Sequence, residues 1–324
     1  MRGEPIAATT ALDAAAHRFS TAALPEEQRV ERWEQHNFSE LFDLRCRTLG
    51  AALDASMVDV ALDRVRLARV AGTPHVVERT AELVRHRPAD ALVAYLTLAG
   101  EAFFHHEDAV RTLRPGQLLV CDTDRPFLRG FSRGLEELVV KVPRQAFRDL
   151  TGLDALRTPV VAEFGPREGR LEARTLARLV GGAVRPREAR PVEEHTVLQL
   201  LGRVLTPGAP ADLGAVHLAT AQAFICEHLG DPGLTASRVA EAVGLSERHL
   251  SRVFAASGTS VPQYVLVQRL DRARTMLLDH PEIGVAEVAA RSGFGSASYF
   301  SRAFRDRFGR RASDVRREAR AARG

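Results

Sequence analysis

The chain has 324 residues, 45% of them hydrophobic and 27% charged, with a formal net charge of +4. This length accommodates two domains with separate cores. No uncharged apolar run approaches the roughly 18 residues a membrane-spanning helix needs, which excludes insertion of that kind. Cys46, Cys121 and Cys226 lack the spacing of a zinc site or a disulfide framework, so buried free thiols are expected.

Asp13, His17 and Arg18 interrupt the Ala-rich first 20 residues, which read as a frayed tail in the cytoplasm and not as a secretory signal. PEEQRVERWEQHNFSELFDLRC then shows helical periodicity around Val30, Trp33, Phe38 and Leu41. Short apolar runs follow at 60–70, 75–86, 91–105, 117–123 and 137–143, separated by RPAD, RPGQ and TDRP. Runs of strand length this closely spaced predict an antiparallel sandwich or small barrel. Residues 143–152 read as a short helix closing it, entered by Pro143 and left at Gly152. After EFGPREG the segments 171–184 and 192–205 carry helical apolar stripes, through Leu171, Leu176, Leu179 and Val180, then Val197, Leu198, Leu201 and Leu205. Each stripe needs a partner: the β-domain, the other helix, or a second copy of the chain. RPREARP is a turn signal, and TPGAPADLG, with three breakers, reads as a linker.

From Leu213 onward the pattern is helical throughout, and this part holds 16 arginines against 11 acidic residues, leaving 29 basic and 30 acidic residues before it. A local basic excess is a modest pointer to a polyanion. Helices are predicted over 213–229, 235–242, 246–256, 261–279, 284–291, 296–307 and 312–320, with Thr235 and Ser246 as N-caps.

TASRVAEAVGLSERHLSRVF (235–254) repeats as GVAEVAARSGFGSASYFSRAF (284–304), one residue longer at its turn. Each copy is helix, Gly-containing turn, helix. In the second helix of each copy, Leu250, Val253 and Phe254, or Phe300, Ala303 and Phe304, form a face for burial. The opposite face carries Arg248, Ser251 and Arg252 in the first copy, and Ala297, Ser298, Ser301, Arg302 and Arg305 in the second. Small polar residues allow close approach, and Arg can bond guanine O6 and N7 in pairs, so these residues are the candidate contacts to double-stranded DNA. One helix-turn-helix alone is a generic corner. Two copies joined by VPQYVLVQRLDRARTMLLD fit two reading heads on successive major grooves.

Residues 213–324 closely resemble the DNA-binding domain of AraC/XylS-type transcriptional regulators, in GLSERHLSRVF, YVLVQRLDRARTMLLD and VAEVAARSGFGSASYFSRAFRDRFGRRASDVR. AASGTS is a residue short of the usual pattern, and Arg311-Ala312 stands where the family commonly has Pro. Residues 79–127, with LRPGQLLVCDTDRP, resemble more loosely the cupin-like sensor and dimerisation domain of such regulators. The expected fold class is α+β: a cupin-like β-barrel or sandwich with flanking helices over 1–165, a helical dimerisation segment and linker over 166–212, and an all-α domain over 213–324 with two helix-turn-helix units on a long linker helix.

The resemblance implies a transcriptional activator, a homodimer, RNA polymerase as a partner and a small-molecule effector, with no cofactor. A regulator whose N-terminal domain only dimerises or meets a protein partner stays open. Cupin enzymes hold metal on His-x-His, whereas His105 and His106 are adjacent and point to opposite faces of a strand, so neither metal nor catalysis is expected. Arg79, Tyr95 and Phe103 are candidates to meet an effector, against the plainer reading of Tyr95 and Phe103 as core and Arg79 as a structural tie.

Overall fold

The computed structural model describes residues 16–50, 52–107, 109–165, 169–185, 192–206 and 213–321. The tail before residue 16, most of RPREARP and most of the linker after Thr206 lie outside them. The chain divides into two compact units, residues 1–211 and 212–324.

In the first unit the chain runs β1 (His17–Ser20), α1 (Glu26–Glu40), β2 (Arg45–Thr48), β3 (Ala55–Ala61), β4 (Arg66–Gly72), β5 (His75–Arg79), α2 (Ala81–His86), β6 (Ala91–Ala99) and β7 (Ala102–His106). It continues through β8 (Ala109–Leu113), β9 (Gln117–Asp122), β10 (Phe127–Phe131), β11 (Leu135–Pro143), α3 (Arg144–Thr151), β12 (Val160–Glu163), α4 (Leu171–Ala183) and α5 (Glu194–Leu205). Two antiparallel sheets form, ordered β1-β3-β4-β11-β6-β9-β12 and β2-β5-β10-β7-β8. Alternation decides what lies between them: Met57, Val93, Tyr95, Val139, Val77, Phe104, Phe127 and Phe131 meet there, joined by Trp33, Leu41 and Phe42. The other face of the larger sheet, with Leu67, Leu92, Leu96, Leu118, Leu138 and Val140, is buried too, and α3 and α4 pack on its strands while α5 packs on α3 and α4. Thus the stripes of α4 and α5, including Leu176, Val180, Val197 and Leu201, are buried within the chain.

Several details differ from the sequence pattern: residues 17–20 of the expected tail form β1, and the runs 60–70 and 91–105 each bend at a turn, between β3 and β4 and between β6 and β7. Residues 75–86 split into strand and helix, because the Thr80 hydroxyl accepts from the Leu83 N–H and caps α2. On α1 the buried residues are Trp33 and Asn37, one turn apart, while Phe38 falls off that stripe and stays 51% exposed under the Arg87 guanidinium, 4.9 Å from its ring centre.

The second unit holds α6 (Leu213–Glu227), α7 (Ala236–Val243), α8 (Glu247–Ala256), α9 (Val261–Asp279), α10 (Val285–Arg291), α11 (Ala297–Phe308) and α12 (Ala312–Ala321). It has two cores rather than one. Ile225, Leu229, Val239, Leu250 and Phe254 gather around Val261 and Val265, the start of α9. Val288, Phe294, Phe300, Phe304 and Val315 gather around Leu270, Ala273 and Leu277, its latter half. The 19-residue helix α9, about 28 Å long at 1.5 Å per residue, is therefore a strut built into both cores.

Candidate nucleic-acid interface

Each helix-turn-helix forms from local signals. Thr235 caps α7 by accepting from the Arg238 N–H, and Ser246 caps α8 by accepting from His249. Ser296 caps α11 in the same way through Tyr299. Both turns put Gly in the left-handed region, Gly244 at φ 72° and Gly293 at φ 83°. The following apolar residue bonds back onto the helix it leaves, Leu245 to Ala240 O and Phe294 to Ala289 O, each at 2.9–3.0 Å. The two glycines are not equivalent: a Cβ on Gly244 would meet open space, whereas on Gly293 it would lie 2.1 Å from the Leu229 carbonyl oxygen.

These turns present α8 and α11 with one face anchored and one free. Leu250, Val253 and Phe254 are buried on α8, as are Phe300 and Phe304 on α11. Arg248, Ser251, Arg252, Ala297, Ser298, Ser301, Arg302 and Arg305 are all exposed. Among the described residues Arg248, Arg252, Arg302 and Arg305 have no carboxylate partner, whereas other arginines of this unit do: Arg238 with Asp231, Arg291 with Glu287, Arg307 with Asp271, Arg310 with Glu318 and Arg317 with Asp314. A concavity of about 430 Å³ beside α11 is lined by Ser301, Arg302 and Arg305 together with Arg311 and Ser313 at the start of α12. Arg311 and Ser313 were not singled out by the repeat, because they follow it.

The frame behind these faces is tied by Arg269 of α9, whose Nε donates to Leu229 O at 3.0 Å and whose Nη2 donates to Asp231 O at 2.6 Å. Burial lowers the Arg269 pKa, and Asp231 offsets part of that. Beside α8, His217 Nδ1 and His249 Nε2 share a hydrogen bond of 2.9 Å.

A profile described as a helix-turn-helix domain matches residues 239–318, and one described as an AraC-binding-like domain matches residues 31–206, more than half of the chain. The chain belongs to the AraC family of transcriptional regulators. It is 25% identical over 253 residues to the transcriptional activator NphR of a Rhodococcus species, a match covering 76% of this chain and 75% of that protein. With the transcriptional activator RhrA of Rhizobium meliloti (strain 1021) it shares 31% identity over 129 residues, spanning 40% of this chain and 41% of RhrA. The crystal structure of the AraC-like activator CuxR aligns with 80% of this chain and 95% of its own, at 19% identity and a TM-score of 0.49.

In the regulator's first unit the three residues considered for an effector have different surroundings. Arg79 is fully buried and donates to the carbonyls of Thr123, Asp43 and Arg87, with Asp124 at 3.7 Å, the bonding of a structural tie. Phe103 lies on the outer face of its sheet, its ring over Gly130, while its neighbour Phe104 enters the core. Tyr95 alone faces the space between the sheets. Its ring lies 3.6 Å beneath the guanidinium of Arg129, which forms a bidentate pair with Glu137 at 3.0 and 2.8 Å. Both charges are buried. Burial presses the Arg129 pKa down, but the Glu137 charge and hydrogen bonds more than reverse this, holding it above the ordinary arginine value. Sequence reasoning passed over this pair. The signal was present in the alternation, since Arg129 stands between Phe127 and Phe131, and Glu137 between Leu135 and Val139. His105 is exposed and His106 buried, on opposite faces of β7.

Proposed function

We propose that α8 and α11 enter successive major grooves of promoter DNA, with Arg248, Ser251 and Arg252 on one and Ala297, Ser298, Ser301, Arg302 and Arg305 on the other against base edges. The observation that carries this reading is the exposure of these two faces: their four arginines are exposed and lack carboxylate partners among the described residues, whereas five other arginines of this unit are held in ion pairs. A carboxylate would have to be displaced before its arginine could bind DNA; these need displace nothing. Arg252→Ala and Arg302→Ala should each weaken operator binding by about 1–3 kcal/mol and relax preference at one base pair. Gel-shift titration against a randomised operator library tests this, and unchanged base preference in both variants would refute the assigned roles.

The regulator acts as an activator, by likeness to the transcriptional activators NphR and RhrA; in this reading it is a cytoplasmic homodimer that engages RNA polymerase and has no catalytic activity. The apolar stripes of α4 and α5 are buried inside the first unit, so the part that residues 166–212 take in the dimer falls to the remaining faces of these helices. For that unit one observation favours a role that needs no small molecule: the cavity between its sheets is about 30 Å³ and is lined by Tyr95, Arg129 and Glu137, room for about one water. Thermal-shift assays with aromatic acids, amides and sugars should show no specific stabilisation; a ligand-specific rise would reinstate an effector that opens this pair.

A further inference from the structure

A second cluster lies where α1 covers the edge of the larger sheet. His17 of β1 and Asp59 of β3 are direct cross-strand partners, with His17 Nδ1 3.9 Å from Asp59 Oδ2. Glu40 reaches in from the last turn of α1, and one donor atom from each of His17, Glu40 and Asp59 lies within 4.8 Å of the others. His36, one turn before Glu40 on α1, shares its helix face. Two atoms here are enclosed without any hydrogen-bond partner, Asp59 Oδ1 and His36 Nε2, and Asp59 is fully buried. A native fold seldom leaves a buried carboxylate oxygen unpaired. The cluster already draws in a cation: Arg66 Nη1 donates to Asp59 Oδ2 at 2.7 Å and also to Glu40 Oε2.

We infer that His17, Glu40 and Asp59 form a binding site for a divalent transition metal of the zinc class, at which Arg66 is the competing internal cation. One imidazole and two carboxylates, with water in the fourth position, are a donor set that suits zinc. Donors around a tetrahedral zinc with bonds of about 2.0–2.1 Å sit about 3.3 Å apart, so the cluster closes by modest side-chain rotation, led by His17, whose side chain is 66% exposed and gives the ion an entry path.

The test is equilibrium dialysis of the full-length, tag-free protein against ZnCl2 with metal analysis, supported by visible absorption with Co²⁺. Wild type should bind a single zinc and show tetrahedral cobalt bands. His17→Ala, at an exposed position that leaves the fold intact, should weaken binding at least about tenfold, and Arg66→Met should tighten it by removing the competitor. Zinc should raise the melting temperature of wild type but not of His17→Ala. No zinc uptake, uptake unchanged in His17→Ala, or uptake abolished by His249→Ala instead would each overturn the assignment.

Discussion

Gly244 and Gly293 occupy the same place in the two helix-turn-helix repeats, yet alanine at the two sites should have very different consequences. Both residues have left-handed backbone, which costs an L-residue about 1–2 kcal/mol. At Gly244 nothing else is near, so that is the whole effect. At Gly293 the new methyl would sit 2.1 Å from Leu229 O and 2.8 Å from Arg269 Nε, the acceptor and donor of the bond that ties the loop after α6 to α9. Making room breaks that bond, a further loss of about 1.5–3 kcal/mol for a charged donor. Gly293→Ala should therefore cost about 2.5–5 kcal/mol against about 1–2 for Gly244→Ala. Urea-dependent hydrogen exchange on peptides from 261–308 reports the second unit by itself. Fluorescence of Trp33, the single tryptophan, reports the first unit and should not move. Equal losses at the two glycines would refute the reasoning that Gly293 is fixed by a backbone contact and Gly244 only by its dihedral angle.

Other perturbations test the first unit. Glu137→Leu strands the buried Arg129 charge and should destabilise by about 3–5 kcal/mol, while Arg129→Met with Glu137→Leu should recover most of the loss; Trp33 fluorescence in urea measures both, and a double variant as unstable as the single one contradicts the pairing. Glu194 at the start of α5 accepts from the Arg64 and Val65 N–H groups and from Arg64 Nε. Burial raises its pKa, but these bonds and the Arg64 charge outweigh that and hold it below the ordinary glutamate value of 4.5. Its stabilisation is thus present in full above pH 4.5 and is lost as pH falls through the lower native value. Glu194→Gln should lie about 1–3 kcal/mol below wild type at neutral pH, converging with it in acid melts; a gap that widens as pH falls would contradict this.

The second unit was legible in the sequence because its signals are local. Thr235, Ser246 and the two glycines each act within a few residues, and repetition some fifty residues apart exposes them. The free arginine faces follow from helical periodicity once Phe254 and Phe304 are assigned inward. The first unit hid more, since its decisive contacts join residues far apart in the chain. His17 meets Asp59 and Glu40 only after β1, β3 and α1 assemble, and nothing in HRFS announces it. Charged residues at strand positions read as surface, so Arg129 and Glu137 were passed over although their neighbours alternate inward. Phe103 and Phe104 differ in the sequence only by parity, and the turn at Gly100 sets which of them faces the core.

The central claim is that α9 holds two reading helices at a fixed spacing. Hydroxyl-radical footprinting of the operator with wild type, Arg252→Ala and Arg302→Ala tests it most directly. Two protected segments about one helical turn apart on one face of the duplex are expected, with each variant losing protection in a different segment. A single protected segment, or both variants weakening the same one, would contradict the account.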